Sequence, residues 1–329
     1  MAAALSIGLA AILPSACDPF AEQPVRQLRM SVITNVDHSL YKGAVKFADL
    51  VKERTGGKVL ISVYPNSQLA GGNITREVEM LREGKIDFSF TSSLIYANID
   101  KRFFASCMPW ILPGNEAADK FLTGPLGHRI LGMTREYGVE GLALGENGFR
   151  QITNSVHPIH RPEDLHGLRI RVPSEMYAVV YRALGAEPTV MTWPGVYKAL
   201  QENALDGQEN PVGVTVAYRV YDVQKYMTVW NYSYDTYLLG ANRKLFESFD
   251  PQLQSILREA AHEATAYQVR LARETARAQE EMLKEKGMVV TRLTPEEIAV
   301  FRSRMEAAYG EYETVMGKEL LDSLRTLGR

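Results

Sequence analysis

The run from Asp250-Pro251 to Lys286 limits the architecture more than any other part of the chain. Asp caps free backbone N–H groups and Pro supplies the fixed φ of a first helical position, and no glycine or proline follows until Gly287. A helix of these roughly 36 residues would extend ~54 Å at 1.5 Å per residue, longer than one small lobe. At 329 residues the chain also exceeds the usual size of a single domain, so two α/β lobes are expected. Its 46% hydrophobic and 23% charged residues permit a substantial core. A net charge of -2 leaves no basic footprint for nucleic acid or a bulk anionic surface.

The clearest strand signal is Gly167-Leu168-Arg169-Ile170-Arg171-Val172-Pro173. Leu168, Ile170 and Val172 alternate with Arg169 and Arg171, so an apolar row faces one side and two guanidinium groups the other. Ligands of open α/β sheets gather at the carboxyl ends of strands. Arg171 stands at that end, and its planar fork matches a carboxylate. It is the candidate ligand anchor, the alternative being the solvated basic face of an edge strand.

Leu28 to Ile33 reads as the first strand, followed by a loop and a helix with Tyr41, Ala44, Phe47, Ala48 and Val51 on one face, capped by Asp37 or Ser39 and stopped at Gly56-Gly57. A helix N-terminus after a strand can hold an anion, which makes Asn35 and His38 candidate contacts or simply solvated loop residues. Lys58 to Tyr64, Ile86 to Thr91 and Val139 to Leu144 are further strands, and Glu116 to Tyr137 is helical with an interruption at Gly124-Pro125. Met80-Leu81-Arg82-Glu83-Gly84-Lys85-Ile86-Asp87 aligns with Ala199-Leu200-Gln201-Glu202-Asn203-Ala204-Leu205-Asp206. Gly and Asn both tolerate a left-handed helix stop, so both copies can end a helix and enter a strand alike, which is what two lobes on one plan require. Asn210 ends the second copy, where a short amide can reach a carboxylate. Tyr226 to Tyr232 and Thr236 to Leu239 read as two strands, with Ser233-Tyr234-Asp235 between them as a crossing between lobes; Tyr234 and Asp235 are candidates to face the cleft. Thr294-Pro295-Glu296-Glu297 is a capping box for a terminal helix.

Catalytic and cofactor motifs are missing: there is no G-x-G-x-x-G, no phosphate loop and no G-x-S-x-G, and His262-Glu263 lacks the second histidine of H-E-x-x-H. His157 and His160 have metal spacing only in the loosest sense. Binding without turnover, cofactor or metal is the expectation. Met1 to about Ala16 is apolar and suits a secretory leader, although it lacks a positive start. Cleavage near Ala21 and lipid anchoring at Cys17 are the alternatives. Cys107 then remains alone, as a buried thiol.

The order GLRIRVP, then AEPTVMTWPGVYKALQENALDGQENP, resembles the periplasmic solute-binding subunit of tripartite ATP-independent (TRAP) transporters, the DctP-like family. The resemblance runs from about Leu28 to the C-terminal helices. It implies an α/β, type II-like, two-lobed periplasmic binding protein with a hinge and a long C-terminal helix spanning both lobes. Lobe I would hold 26–148 plus 236–275, and lobe II 149–235 plus 276–329, after a leader of 1–25. By the same resemblance Asn147-Gly148-Phe149-Arg150 lies at a crossing between lobes, with Arg150 a second basic contact and Gly148 a hinge; Trp193 lies against the solute or else caps core. Arg171, Arg150 and Asn210 would clamp a small organic carboxylate. A dicarboxylate or keto acid would use both arginines, and a sugar acid would want Asp235 and Asn147. Sialic acid binders of the family carry an acidic residue and an arginine soon after the strand matching Ile86 to Phe90, where this chain has Ser92 and Ile95, so sialic acid is disfavoured. The expected partners are TRAP membrane subunits, for a monomeric periplasmic protein that is not an enzyme. A two-lobed enzyme acting on an organic acid, or a subunit feeding a sensor, is the alternative.

Overall fold

A computed structural model describes residues 25–327; the leader and Cys17 lie outside the described residues. One mixed sheet carries the molecule. Its strands are β1 (Arg26–Val32), β2 (Val59–Tyr64), β3 (Phe88–Ser92), β4 (Val139–Asn154), β5 (Arg169–Val172), β6 (Glu187–Val190), β7 (Gly207–Pro211), β8 (Tyr226–Asn242) and β9 (Val289–Arg292). The order is β2-β1-β3-β8-β4-β7-β5-β6, with β9 beside β8.

β1 runs parallel to β2 and β3, and β5 runs parallel to β6 and β7. Between these two parallel groups lie β4 and β8, antiparallel to each other and to their outer neighbours β7 and β3. The two-lobed α/β plan therefore hangs on two shared strands. β8 does not break at Ser233-Tyr234-Asp235, and β4 does not stop at Leu144: each is one strand, of 17 and 16 residues. Register shifts at Gly141/Ala143, Glu146/Gly148 and Arg150/Ile152 absorb the bend that the sequence suggested as breaks.

The repeat in the sequence is a repeat in space. Gly84 and Asn203 both take the left-handed conformation, at φ +74° and +54°. Lys85 N donates to Met80 O at 2.8 Å, and Ala204 N donates to Ala199 O at 2.9 Å. Asp87 and Asp206 then each accept from the backbone N–H of an arginine on the adjacent strand, Arg29 at 2.7 Å and Arg169 at 2.8 Å. Both arginines return the favour to the helix stop, through Lys85 O and Asn203 O.

In one core the first helix (Ser39–Arg54) lays Phe47 and Val51 against Met30 and Val32 and against Leu257, Ala260, Ala261 and Ala264 of the long helix (Pro251–Glu285). Small residues let these helices approach: a Cβ on Gly43 would stand 2.7 Å from Gln268 Cβ. The cap of the first helix is His38, whose Nδ1 accepts from Leu40 N at 3.1 Å, rather than Asp37 or Ser39. The long helix opens on Asp250, which accepts from Leu253 N at 2.9 Å. The second core is aromatic, with Phe104 stacked on Tyr312 at 5.8 Å and Trp230 tilted against Tyr232 at 4.8 Å. The C-terminal helices (Pro295–Met316 and Lys318–Leu327) close it with Phe301, Met305, Leu321 and Leu324. Thr294 and Glu297 form the expected capping box.

Candidate functional site

At the carboxyl ends of β1, β3, β5 and β7, where β4 and β8 cross, lies a cavity of about 80 Å³. Its polar wall includes Arg171, Arg150, Asn210, Asn147, Asp235 and Ser92. Apolar side chains complete it, among them Trp193, Ile74, Ile95 and Val214. Seven of the residues singled out from sequence thus meet on one space.

Arg171 is 2% exposed, held at the end of β5. Its Nε donates to Met191 O at 2.7 Å, and the guanidinium lies over the Trp193 ring, 5.5 Å from the centroid. Among the described residues its terminal nitrogens donate to nothing, and no carboxylate lies within 4.0 Å. Burial lowers its pKa to about 9, with Glu209 resisting and Arg150 assisting; it remains a cation at neutral pH. A buried charge without a counterion is costly. This one is suited to receive an anion.

Arg150 is equally buried but engaged at all but one of its donors. It donates from Nε and NH2 to the Glu209 carboxylate, from NH1 to Asp235 Oδ2 at 2.7 Å, and from NH2 to Asn210 Oδ1 at 3.0 Å. Of its five N–H donors only one on NH1 is uncommitted. Asp235 also accepts from Ser92 Oγ at 2.8 Å and from Asn147 Nδ2 at 2.7 Å. Burial pushes its carboxyl above the usual carboxylate range, against the pull of Arg150. Asn210 donates to Gln208 Oε1 at 2.6 Å, and Tyr237 donates to Asn147 Oδ1 at 2.7 Å.

Three sequence candidates stand outside the cavity wall. Tyr234 points across β8 the other way, donating to Glu146 Oε2 at 2.7 Å. Asn35 donates to Ala217 O at 2.8 Å and so ties the loop after β1 to the opposite lobe. Beside it Tyr218 donates to Ile33 O at 3.3 Å, both residues lining the cavity. His38 is occupied as a helix cap, and burial followed by Lys42 lowers its pKa to about 4. It borders a different, larger cleft of about 650 Å³ beside the long helix. Charged groups there pair with each other, Arg292 with Glu280, Lys284 with Glu281 and Arg273 with Glu146. His157 and His160 do not converge: His160 Nδ1 meets Glu297 at 3.1 Å and His157 Nδ1 lies at Pro158 O.

Sequence reasoning missed Glu209 and Thr34. Glu209 sits inside the Asp206 to Pro211 segment, on a strand buried at every residue, and its carboxylate accepts from Arg150. Thr34 follows β1 at the strand end where ligands gather; it is 3% exposed, lines the cavity, and its Oγ1 has no hydrogen-bond partner.

A family model described as DctP, bacterial extracellular solute-binding protein family 7, matches residues 30–314. A curated relative, the C4-dicarboxylate-binding protein DctB of Bacillus subtilis, is 29% identical over 86% of this chain and 81% of its own length. Another, the 2,3-diketo-L-gulonate-binding periplasmic protein YiaO of Escherichia coli, is 31% identical over 80% of each. Among solved structures, a TRAP periplasmic solute-binding protein from Ralstonia eutropha with bound (S)-2-acetolactate superposes with a TM-score of 0.88 at 34% identity, covering 92% of this chain and 98% of that one.

Proposed function

The chain belongs to the DctP family of bacterial extracellular solute-binding proteins, the periplasmic binding subunits of TRAP transporters, which serve transport rather than catalysis, and from that premise we propose that it captures its solute by pairing a carboxylate with Arg171. One observation carries this reading: a guanidinium 2% exposed, with its two terminal nitrogens unpartnered among the described residues, at the wall of the cavity. The solutes named for the three relatives, a C4-dicarboxylate, 2,3-diketo-L-gulonate and (S)-2-acetolactate, share a carboxylate. A small organic acid is accordingly the proposed ligand.

In this reading Arg150 and Asp235 are framework. Arg150 lends one N–H, and Trp193 covers the apolar side. Lobe I comprises 26–148 plus 236–275 and lobe II 149–235 plus 276–329, moving about the β4/β8 crossing; closure around ligand is the established motion of such folds. The mature protein, freed of residues 1–25 or anchored at Cys17, acts as a monomer and delivers its acid to membrane subunits.

Calorimetry with a panel of organic acids on wild type and Arg171→Ala tests the pairing. Truncating one partner of a buried charge pair costs ~2 to 5 kcal/mol, so affinity should fall by at least about 30-fold. Unchanged affinity in the variant would remove the mechanism.

A further inference from the structure

We propose that the solute is a short monocarboxylate with a neutral, hydroxyl- or oxo-bearing aliphatic body, and that dicarboxylates are discriminated against. The inference rests on Arg171 as the carboxylate seat and follows from the charges around it. The charged side chains of the wall are Arg171, Arg150 and Asp235, and Glu209 stands directly against Arg150. Arg150 is spent on Glu209 and Asp235, which leaves Arg171 as the one cation of the wall without a carboxylate among the described residues. A first carboxylate takes it. A second would meet no free cation, and Asp235, 1% exposed in the same wall, would repel it at short range.

The polar groups of the wall with donors to spare are neutral or nearly spent: one N–H of Arg150 and the second amide N–H of Asn147 and of Asn210. A hydroxyl or oxo group can accept from them, whereas a second carboxylate finds no free full charge among them. Ile74, Ile95 and Val214 offer only dispersion contacts, suited to an alkyl branch. Size agrees with this composition. At ~10–15 Å³ of such volume per water-sized atom, a cavity of about 80 Å³ suits a short acid rather than a long one.

The test compares ligands of equal bulk. In 2-hydroxy-4-methylpentanoate an isopropyl group stands where malate has its second carboxylate. Calorimetry of the full mature chain with this pair, together with lactate, 2-hydroxy-3-methylbutanoate and succinate, should give at least tenfold tighter binding for the best monocarboxylate than for either dicarboxylate. Asp235→Asn should narrow that gap by favouring malate. A dicarboxylate that binds as tightly as the best monocarboxylate, or a panel in which no monocarboxylate binds, overturns the proposal. Arg171→Ala separates this failure from that of the seat: if the preferred acid proves to be malate but still depends on Arg171, only the charge-selection argument falls; if no acid depends on Arg171, the seat falls first.

Discussion

Two arginines a single residue apart on β5 have opposite fates. Arg169 is half-exposed and bonded to Asp206 at 2.6 Å; Arg171 is buried and lacks a carboxylate partner among the described residues. Alternation put both on one face, and the strand-end rule distinguished them. What could not be read locally was the company Arg150 keeps, because Glu209 and Asp235 reach it from strands distant in sequence. His38 gives a separate prediction at this scale. Its pKa is about 4 in the folded protein against 6.5 when free, so below pH 6.5 the unfolded chain binds a proton that the native state refuses. Stability should therefore fall as pH drops from about 6.5 toward 4, by about 3 kcal/mol from this group alone. Urea unfolding at pH 7.5 and 4.5 should show a smaller acid loss in His38→Asn, which keeps a capping side chain. Equal losses in the two proteins would contradict the assignment.

Among elements, the first helix and the long helix were both legible from spacing, caps and stops. Their mutual depth was not: Gly43 sits in the first helix for the sake of Gln268, across the fold. Gln268 continues inward, accepting from Glu146 N at 2.9 Å and donating to Glu146 O at 2.8 Å and to Ser39 Oγ at 3.1 Å. It thereby satisfies backbone groups at the β4 bend, which is why a Glu146-Asn147-Gly148 sequence that reads as a turn remains strand. A side chain at position 43 must push the helices apart. Gly43→Val should destabilise by ~1–3 kcal/mol, the usual cost of overpacking, as measured by denaturant midpoint at unchanged m-value. Gln268→Leu, which orphans both groups of Glu146, should cost ~1–3 kcal/mol and sharpen susceptibility to proteolysis near the bend. An unaltered midpoint in both variants would show that the helix contact is softer than its geometry.

For the whole molecule, the eight-residue repeat was the signal of two lobes on one plan, and its second copy reproduces the helix stop and the aspartate bond of the first. Shared long strands left no such signal, since bulges in β4 look like chain breaks in one dimension. In the proposed closure, the bonds from Asn35 to Ala217 and from Tyr218 to Ile33 would act as a latch. Tyr218→Phe removes one of these, worth ~0.5–1.5 kcal/mol, so ligand should dissociate up to about tenfold faster with little change in association rate. Stopped-flow displacement would measure it, and a slowed release would refute the role of the latch.

Asn147, Arg150 and Asp235 reside on the crossing strands themselves, so in the proposed closure they would lie near the pivot, where displacement is least. Thr34 and Arg171 belong to different proposed lobes and would travel farther. An arriving acid would therefore find the central polar scaffold already assembled in the gaping form, and only its outer contacts would have to come to it.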